Sequence, residues 1–274
     1  MMHLQAMSTG SRQKTTITRN PPTSVEYVVV GGGGGGSGDF SGGGGAGEVR
    51  TGTLSIQPLA NYYFQIGGGG SAYSDGYDSY IYVYAVLGQN SSSYEIISFG
   101  GGRGTQFGYY GTNGHLSIYS THGSGGGGAA YNYYQASLGQ HPGYQHGPSP
   151  QNPPTHSNPY AGWGRIGDAT TQYGVGGGGG GASLANSTTS ITDKDGVDGI
   201  DVSGVNGTSL FLGGGGGGGG PEYGGSGRII IAYPSTYDDI FNIYGSPGNW
   251  SMSTTQRANY KVYTFTGSTG LKIG

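Results

Sequence analysis

Asp193-Lys194-Asp195-Gly196-Val197-Asp198-Gly199 brings three carboxylates to one glycine turn. Oxygen donors at that spacing can wrap a hard cation such as calcium. The bidentate glutamate that closes an EF-hand loop is missing, so the donor set is incomplete. Aspartates bracing their own turn account for the same residues. That is the first reading, and calcium at Asp193, Asp195 and Asp198 is the second. His141, His146 and His156 are the other side chains able to bind a metal. No two of them stand at a tight ligand spacing, and no carboxylate lies close in sequence. They read as solvent-facing or loop-bracing groups. No other cofactor is implied.

Catalytic chemistry finds no foothold. The chain has no cysteine, no Gly-x-Ser-x-Gly elbow and no His-Glu-x-x-His. Glu222 could in principle pair with Asp238 or Asp239 as glycosidase carboxylates do, but nothing in the sequence brings them together. The chain is therefore expected not to be an enzyme.

Recognition chemistry is better supplied. There are 24 tyrosines, and Tyr73, Tyr77, Tyr80, Tyr82 and Tyr84 fall in one stretch. From Tyr80 to Tyr84 the alternation is that of a strand, with tyrosines on one face and Ile81 and Val83 on the other. A tyrosine face offers rigid area with a polar tip, suited to sugar or protein recognition. The same face could pack on a glycine layer or at a subunit interface, which favours tyrosine for the same reasons. Both readings stay open. They extend to Tyr109 and Tyr110, to Tyr133 and Tyr134, and to Tyr160 and Trp163. The last two follow an irregular proline-rich excursion over 141–160, inside a loop insert spanning 131–173.

The elements that must hold these residues are unusual. Glycine makes up 65 of 274 residues, while hydrophobic residues reach only 32%, too few for an ordinary aliphatic core. Such a composition reads as disorder unless the backbone groups find partners. The glycines are clustered, and strands lead into the clusters. Val25–Val30 runs into Gly31–Gly36, Tyr62–Ile66 into Gly67–Gly70, and Ser209–Leu212 into Gly213–Gly220. No amphipathic helix follows any run and no Gly-Lys-Ser/Thr occurs, so nucleotide binding is not expected. A bundle of extended threefold helices remains. Such a helix has no internal hydrogen bonds, and its N–H and C=O groups point outward. Without Cβ atoms, neighbouring helices can bond backbone to backbone. The expected fold is β-rich and irregular, a packed polyglycine helix bundle of polyproline-II type with short β-strands and almost no α-helix. Arg228–Tyr233 and Tyr260–Thr266 are expected to close it as a short β region. The expected organisation is an arm over 1–24, a polyglycine-bundle domain over 25–233, and a C-terminal β region over 234–274.

Several segments carry a resemblance. They are Val25-Glu26-Tyr27-Val28-Val29-Val30 before its glycines, Gly47-Glu48-Val49-Arg50-Thr51-Gly52-Thr53-Leu54-Ser55-Ile56, Gly224-Gly225-Ser226-Gly227-Arg228-Ile229-Ile230-Ile231-Ala232-Tyr233-Pro234, and Tyr260–Ser268. Together they resemble a glycine-rich family common in phage and cyanophage sequences, and are similar to fibre-tip adhesins built as polyglycine sandwiches. The insert over 131–173 and the strands after Tyr233 extend beyond the adhesin pattern. The resemblance implies a virion tail-fibre or tail-associated protein, with loops that contact a host surface polysaccharide or protein. It implies a homo-oligomer, a trimer first, with residues 1–24 joining other virion tail proteins. A purely structural virion part, such as a fibre shaft or capsid decoration, is the alternative. An ice-binding or extracellular matrix protein ranks last, for want of a regular threonine array. The net charge of -3, with no basic run, gives no reason to expect nucleic acid as a partner. No apolar stretch reaches membrane-spanning length and the first thirty residues lack a signal-peptide core, so a virion location without membrane insertion is expected.

Overall fold

Two kinds of strand can be told apart by their side chains. Val28-Val29-Val30 and Ile229-Ile230-Ile231 are unbroken apolar runs, expected where both faces of a strand are covered. Tyr62-Tyr63-Phe64-Gln65 and Tyr80-Ile81-Tyr82-Val83 alternate, as on a sheet with one covered face. The computed structural model describes residues 20–36, 43–56, 60–84, 93–104, 199–213, 223–239, 241–244 and 248–273. It places the two kinds in two different sheets.

The first sheet is antiparallel, in the order β10 (Trp250–Ser253), β11 (Tyr260–Phe265), β8 (Arg228–Pro234), β1 (Ser24–Val30), β2 (Val49–Ser55). The second has the order β5 (Ser93–Ser98), β4 (Ser79–Tyr84), β3 (Asn61–Gln65), β12 (Thr269–Ile273), β9 (Phe241–Tyr244). Their inner faces meet. Val25, Val29, Ile229, Ile231 and Phe265 pack in one core with Tyr62, Phe64, Ile81, Val83 and Ile96. Phe64 meets Phe265 edge-on at 4.9 Å between ring centres.

The outer face of the first sheet is also covered. Val28, Val30, Ile230, Ala232 and Val262 form a second core beneath Val202, Val205, Leu210 and Leu212. The cover is a small hairpin of β6 (Ile200–Asp201) and β7 (Phe211–Leu212), joined through the single turn α1 (Ser203–Asn206). Asp201 braces this unit by accepting the N–H groups of Ser203 and Leu210. Gly207, at φ 87°, ends the turn in the left-handed region that glycine enters freely.

The fold is thus β-rich with almost no helix, as its sequence indicates. The strands carry more of it than a short closing region. Arg228–Pro234 and Tyr260–Phe265 do pair, but among the described residues they are two of the ten strands in the two large sheets, and those after Pro234 take places in both.

The glycine runs extend this sandwich at one end. β1, β3 and β5 lead into 31–36, 67–71 and 99–104, while 43–48, 74–78 and 223–227 lead back into β2, β4 and β8. The N–H groups of 31–36 fan out. Gly31 and Gly34 donate to the carbonyls of Glu48 and Gly45, at 3.0 and 2.8 Å. Gly32 and Gly35 donate to Tyr77 and Ser74, at 2.8 and 2.9 Å, and Gly33 to Gly225 at 2.8 Å. The direction repeats at every third residue, as in a polyproline-II-type helix with three residues per turn. In return, Gly101 and Gly104 donate to the carbonyls of Gly32 and Gly35, and Gly70 to that of Gly33. Among the described residues, 31–36 is therefore bonded to five neighbouring segments. The outer segments also bond one another, as in Gly45 to Gly102 and Gly227 to Gly67.

This packing leaves no room for side chains. A Cβ on Gly32 would lie 2.0 Å from the Gly68 carbonyl oxygen, and one on Gly69 1.7 Å from that of Gly224. The bundle still needs the sandwich. Ordering a residue's backbone costs about 1–2 kcal/mol, while a hydrogen bond returns only about 1 kcal/mol net. The strands offset that difference by delivering the segments already aligned.

Candidate binding surface

The join between sandwich and bundle fixes what the surface can present. Packed sheets stand about 10 Å apart, whereas the glycine layers touch. The backbones must converge, and ladder donors would be left without partners there. Buried polar side chains take them. The Ser79 hydroxyl accepts the Gly67 N–H at 2.9 Å and donates to the Val30 carbonyl at 2.7 Å. Ser98 accepts the Gly31 N–H at 3.1 Å and donates to the Glu48 carbonyl. Glu48 accepts the Phe99 N–H at 2.9 Å and pairs with Arg50 at 3.1 Å. Asp78 and Asp75 accept the N–H groups of Gly100 and Arg103, at 2.7 and 2.9 Å. The carboxylates near the glycine end are thus engaged with backbone.

Two aromatic surfaces flank this join. One is the outer face of the second sheet. Tyr63, Gln65, Tyr80 and Tyr82 point outward there, each half-buried, opposite the inward Tyr62, Phe64, Ile81 and Val83. Tyr82 lies 6.0 Å from Tyr63 and 5.3 Å from Tyr80, ring centre to ring centre. The Tyr80 hydroxyl donates to Asp78 at 3.3 Å. Tyr84 continues the strand and pairs through its backbone with Asn61.

The other surface is on the glycine bundle. Tyr77 is 68% exposed, Tyr223 80% and Tyr73 43%. They stand around the 67–71 helix. The Tyr77 N–H bonds to the Gly68 carbonyl on one side at 3.0 Å, and the Gly224 N–H to the Gly70 carbonyl on the other at 2.8 Å. Tyr73 sits at the turn, at φ 69°, with its N–H bonded to the Gly36 carbonyl.

A family model for a glycine-rich domain matches residues 8–236. The chain belongs to that family. No curated protein and no solved structure matches it. Within this glycine-rich domain protein, the structure brings Tyr77, Tyr80 and Tyr82 to the surface, with Tyr77 on the bundle and the other two on the sheet. Tyr109, Tyr110, Tyr133, Tyr134, Tyr160 and Trp163 lie outside the described residues, as do Asp193, Asp195 and Asp198 with the calcium reading. Glu222 lies outside them too. Asp238 is engaged by the Asn20 N–H at 2.6 Å, and Asp239 by Lys261 at 2.8 Å. The Lys261 ammonium holds the Asp239 carboxyl below its ordinary range. Among the described residues, no group of three or more acidic or histidine side chains could hold a metal.

Sequence reasoning missed Tyr223 as a surface residue, and the polar ring of Glu48, Ser79 and Ser98. The available signal was position. Each of the three polar residues stands at a strand end, next to or directly across from a glycine run.

Proposed function

We propose that this chain is a non-enzymatic virion component of tail-fibre type that contacts a host surface. The observation that carries the reading is the placement of exposed Tyr73, Tyr77 and Tyr223 on the glycine bundle. A hydrogen-bonded backbone lattice holds them at the end of a sandwich, and rigid aromatic area with a polar tip suits surface recognition. The segments that resemble phage fibre proteins, Val25–Val30 with its glycines and Gly224–Pro234, build the centre and one edge of that lattice. Residues 1–24 serve as the arm that joins neighbouring tail proteins. The half-buried ladder of Tyr63, Tyr80 and Tyr82 supplies a contact face for a homotrimer, since interfaces are enriched in tyrosine.

An antibody against the purified chain tests the reading. Immunogold labelling should decorate the tails of the particles that carry this protein, and soluble protein should compete with those particles for attachment to host cells. Absence of label from particles would remove the virion assignment. Label without competition would favour a purely structural virion part.

A further inference from the structure

The glycines of the bundle are not all explained by packing. At Gly31, Gly32, Gly34, Gly35, Gly69 and Gly224 a Cβ would fall between 1.7 and 2.2 Å from a backbone oxygen. Gly68 and Gly225 are different. A Cβ on Gly68 would meet only the Tyr77 ring, at 3.8 Å, and one on Gly225 would meet nothing within 4 Å. Both residues are exposed. The lattice would tolerate a side chain at either place, yet the surface there is bare backbone. Among the described residues, no partner is found for the N–H groups of Gly68 and Gly225.

We propose that this strip, with Gly68 and Gly225 as its floor and Tyr77 and Tyr223 as its sides, binds a neutral oligosaccharide. Several features point to that chemistry. The Tyr77 ring stands directly beside the open Cα of Gly68, so a flat ring can lie on glycine and stack against tyrosine. The backbone N–H groups of Gly68 and Gly225, without a partner among the described residues, can donate to sugar hydroxyls, and the Ser71 hydroxyl adds another polar contact at the exposed end. Ser71 and Ser74 are already within 3.1 Å of one another. Gly68, Ser71, Tyr77, Tyr223 and Gly225 carry no charge. Asp75 and Asp78, nearby, accept backbone N–H groups, and Arg103 donates to the Tyr73 carbonyl at 3.0 Å. The floor and sides of the strip thus offer an anionic polymer no cation of their own, and the net charge of -3 would oppose it. A protein partner would look for an apolar anchor at the centre of the patch, where this strip has glycine. From the level of Gly68 to that of Ser71 is three residues, about 9 Å at 3.1 Å each, one full turn of such a helix.

The site deepens the surface-binding reading and rests on it, but its test stands apart from virion location. The full chain is titrated by calorimetry with maltohexaose, cellohexaose, mannohexaose and chitohexaose. At least one should bind, and Tyr77→Ala, Tyr223→Ala and Gly68→Val should each weaken binding tenfold or more. Gly68→Val should melt like the native chain, because a Cβ there meets no backbone and only the Tyr77 ring, at 3.8 Å. Met252→Ala, an exposed apolar change on β10, should bind as the native chain does. Failure of all four sugars to bind would overturn the proposal, as would native affinity in any of the three site variants. Sugar binding by a protein absent from particles would sink the virion assignment alone. A labelled tail protein that binds none of the four sugars would sink this site alone.

Discussion

The sandwich and the glycine bundle are continuous in chain and opposite in construction. In the sandwich, backbone bonds lie within each sheet and side chains fill the space between. In the bundle, backbone bonds also run between the layers, and there is no space to fill. The first is held by what its residues carry, the second by what they lack. An aliphatic core of the usual size is therefore unnecessary. The scarce apolar residues are concentrated in β1 and β8, which spend theirs on both faces.

The sharpest way to break this comparison is Gly32→Val. The new Cβ would be driven 2.0 Å from the Gly68 oxygen, and neither backbone can retreat without losing its bonds. Ordinary overpacking costs about 1–3 kcal/mol, and this change should exceed it, leaving no cooperative unfolding transition in a thermal melt. A native melt would show that backbone contact does not hold the bundle. Next is Phe265→Ala, which removes a fully buried ring between the sheets and should cost about 3–5 kcal/mol by chemical denaturation. A loss below about 1 kcal/mol would mean that the inter-sheet core adds little. Ser79→Ala sits on the join. It leaves the Gly67 N–H and Val30 carbonyl without their bridge, and should cost about 1–3 kcal/mol. Ser79→Thr, which keeps the hydroxyl, should recover part of it if the added methyl fits.

The smallest effect belongs to Tyr263, whose phenol lies 3.2 Å from the Tyr233 hydroxyl in the core. Burial, then the Tyr233 hydroxyl, push its pKa well above the ordinary 10.0. The folded state therefore favours the neutral phenol. Its contribution is full below about pH 10 and is lost as pH rises beyond that. Tm should hold to about pH 10 and then fall, and Tyr263→Phe should make the fall shallower. Equal alkaline loss in both proteins would take this phenol out of the account.

Much of the architecture was legible because two periods were written plainly. Consecutive glycines after Val30 and Ile66 pointed to outward backbone bonding, and the alternation Tyr80 to Val83 assigned the inward and outward faces of β4. The extent of the sheets was harder to read. Asn61–Gln65 and Thr269–Ile273 are short, and only their pairing across some two hundred residues shows them to be neighbours. Nor could spacing reveal that Tyr77 and Tyr223 flank the same glycine segment. Hydrogen bonds of 67–71 hold the Tyr77 segment on one side and the Gly224 segment on the other. Ser79, Ser98 and Glu48 looked like ordinary strand-end residues, since the need for them arises only where two layers converge.

The abrupt change from valine to glycine has a consequence for strand misregistration. A slip of one residue in β1 would invert its faces in the sheet. A slip of two toward the bundle would keep the faces but carry Val29 and Val30 into the places of Gly31 and Gly32, where a Cβ lies 2.2 and 2.0 Å from a carbonyl oxygen. The glycine run thus acts as an end-stop for the strand, although it carries no side-chain information of its own.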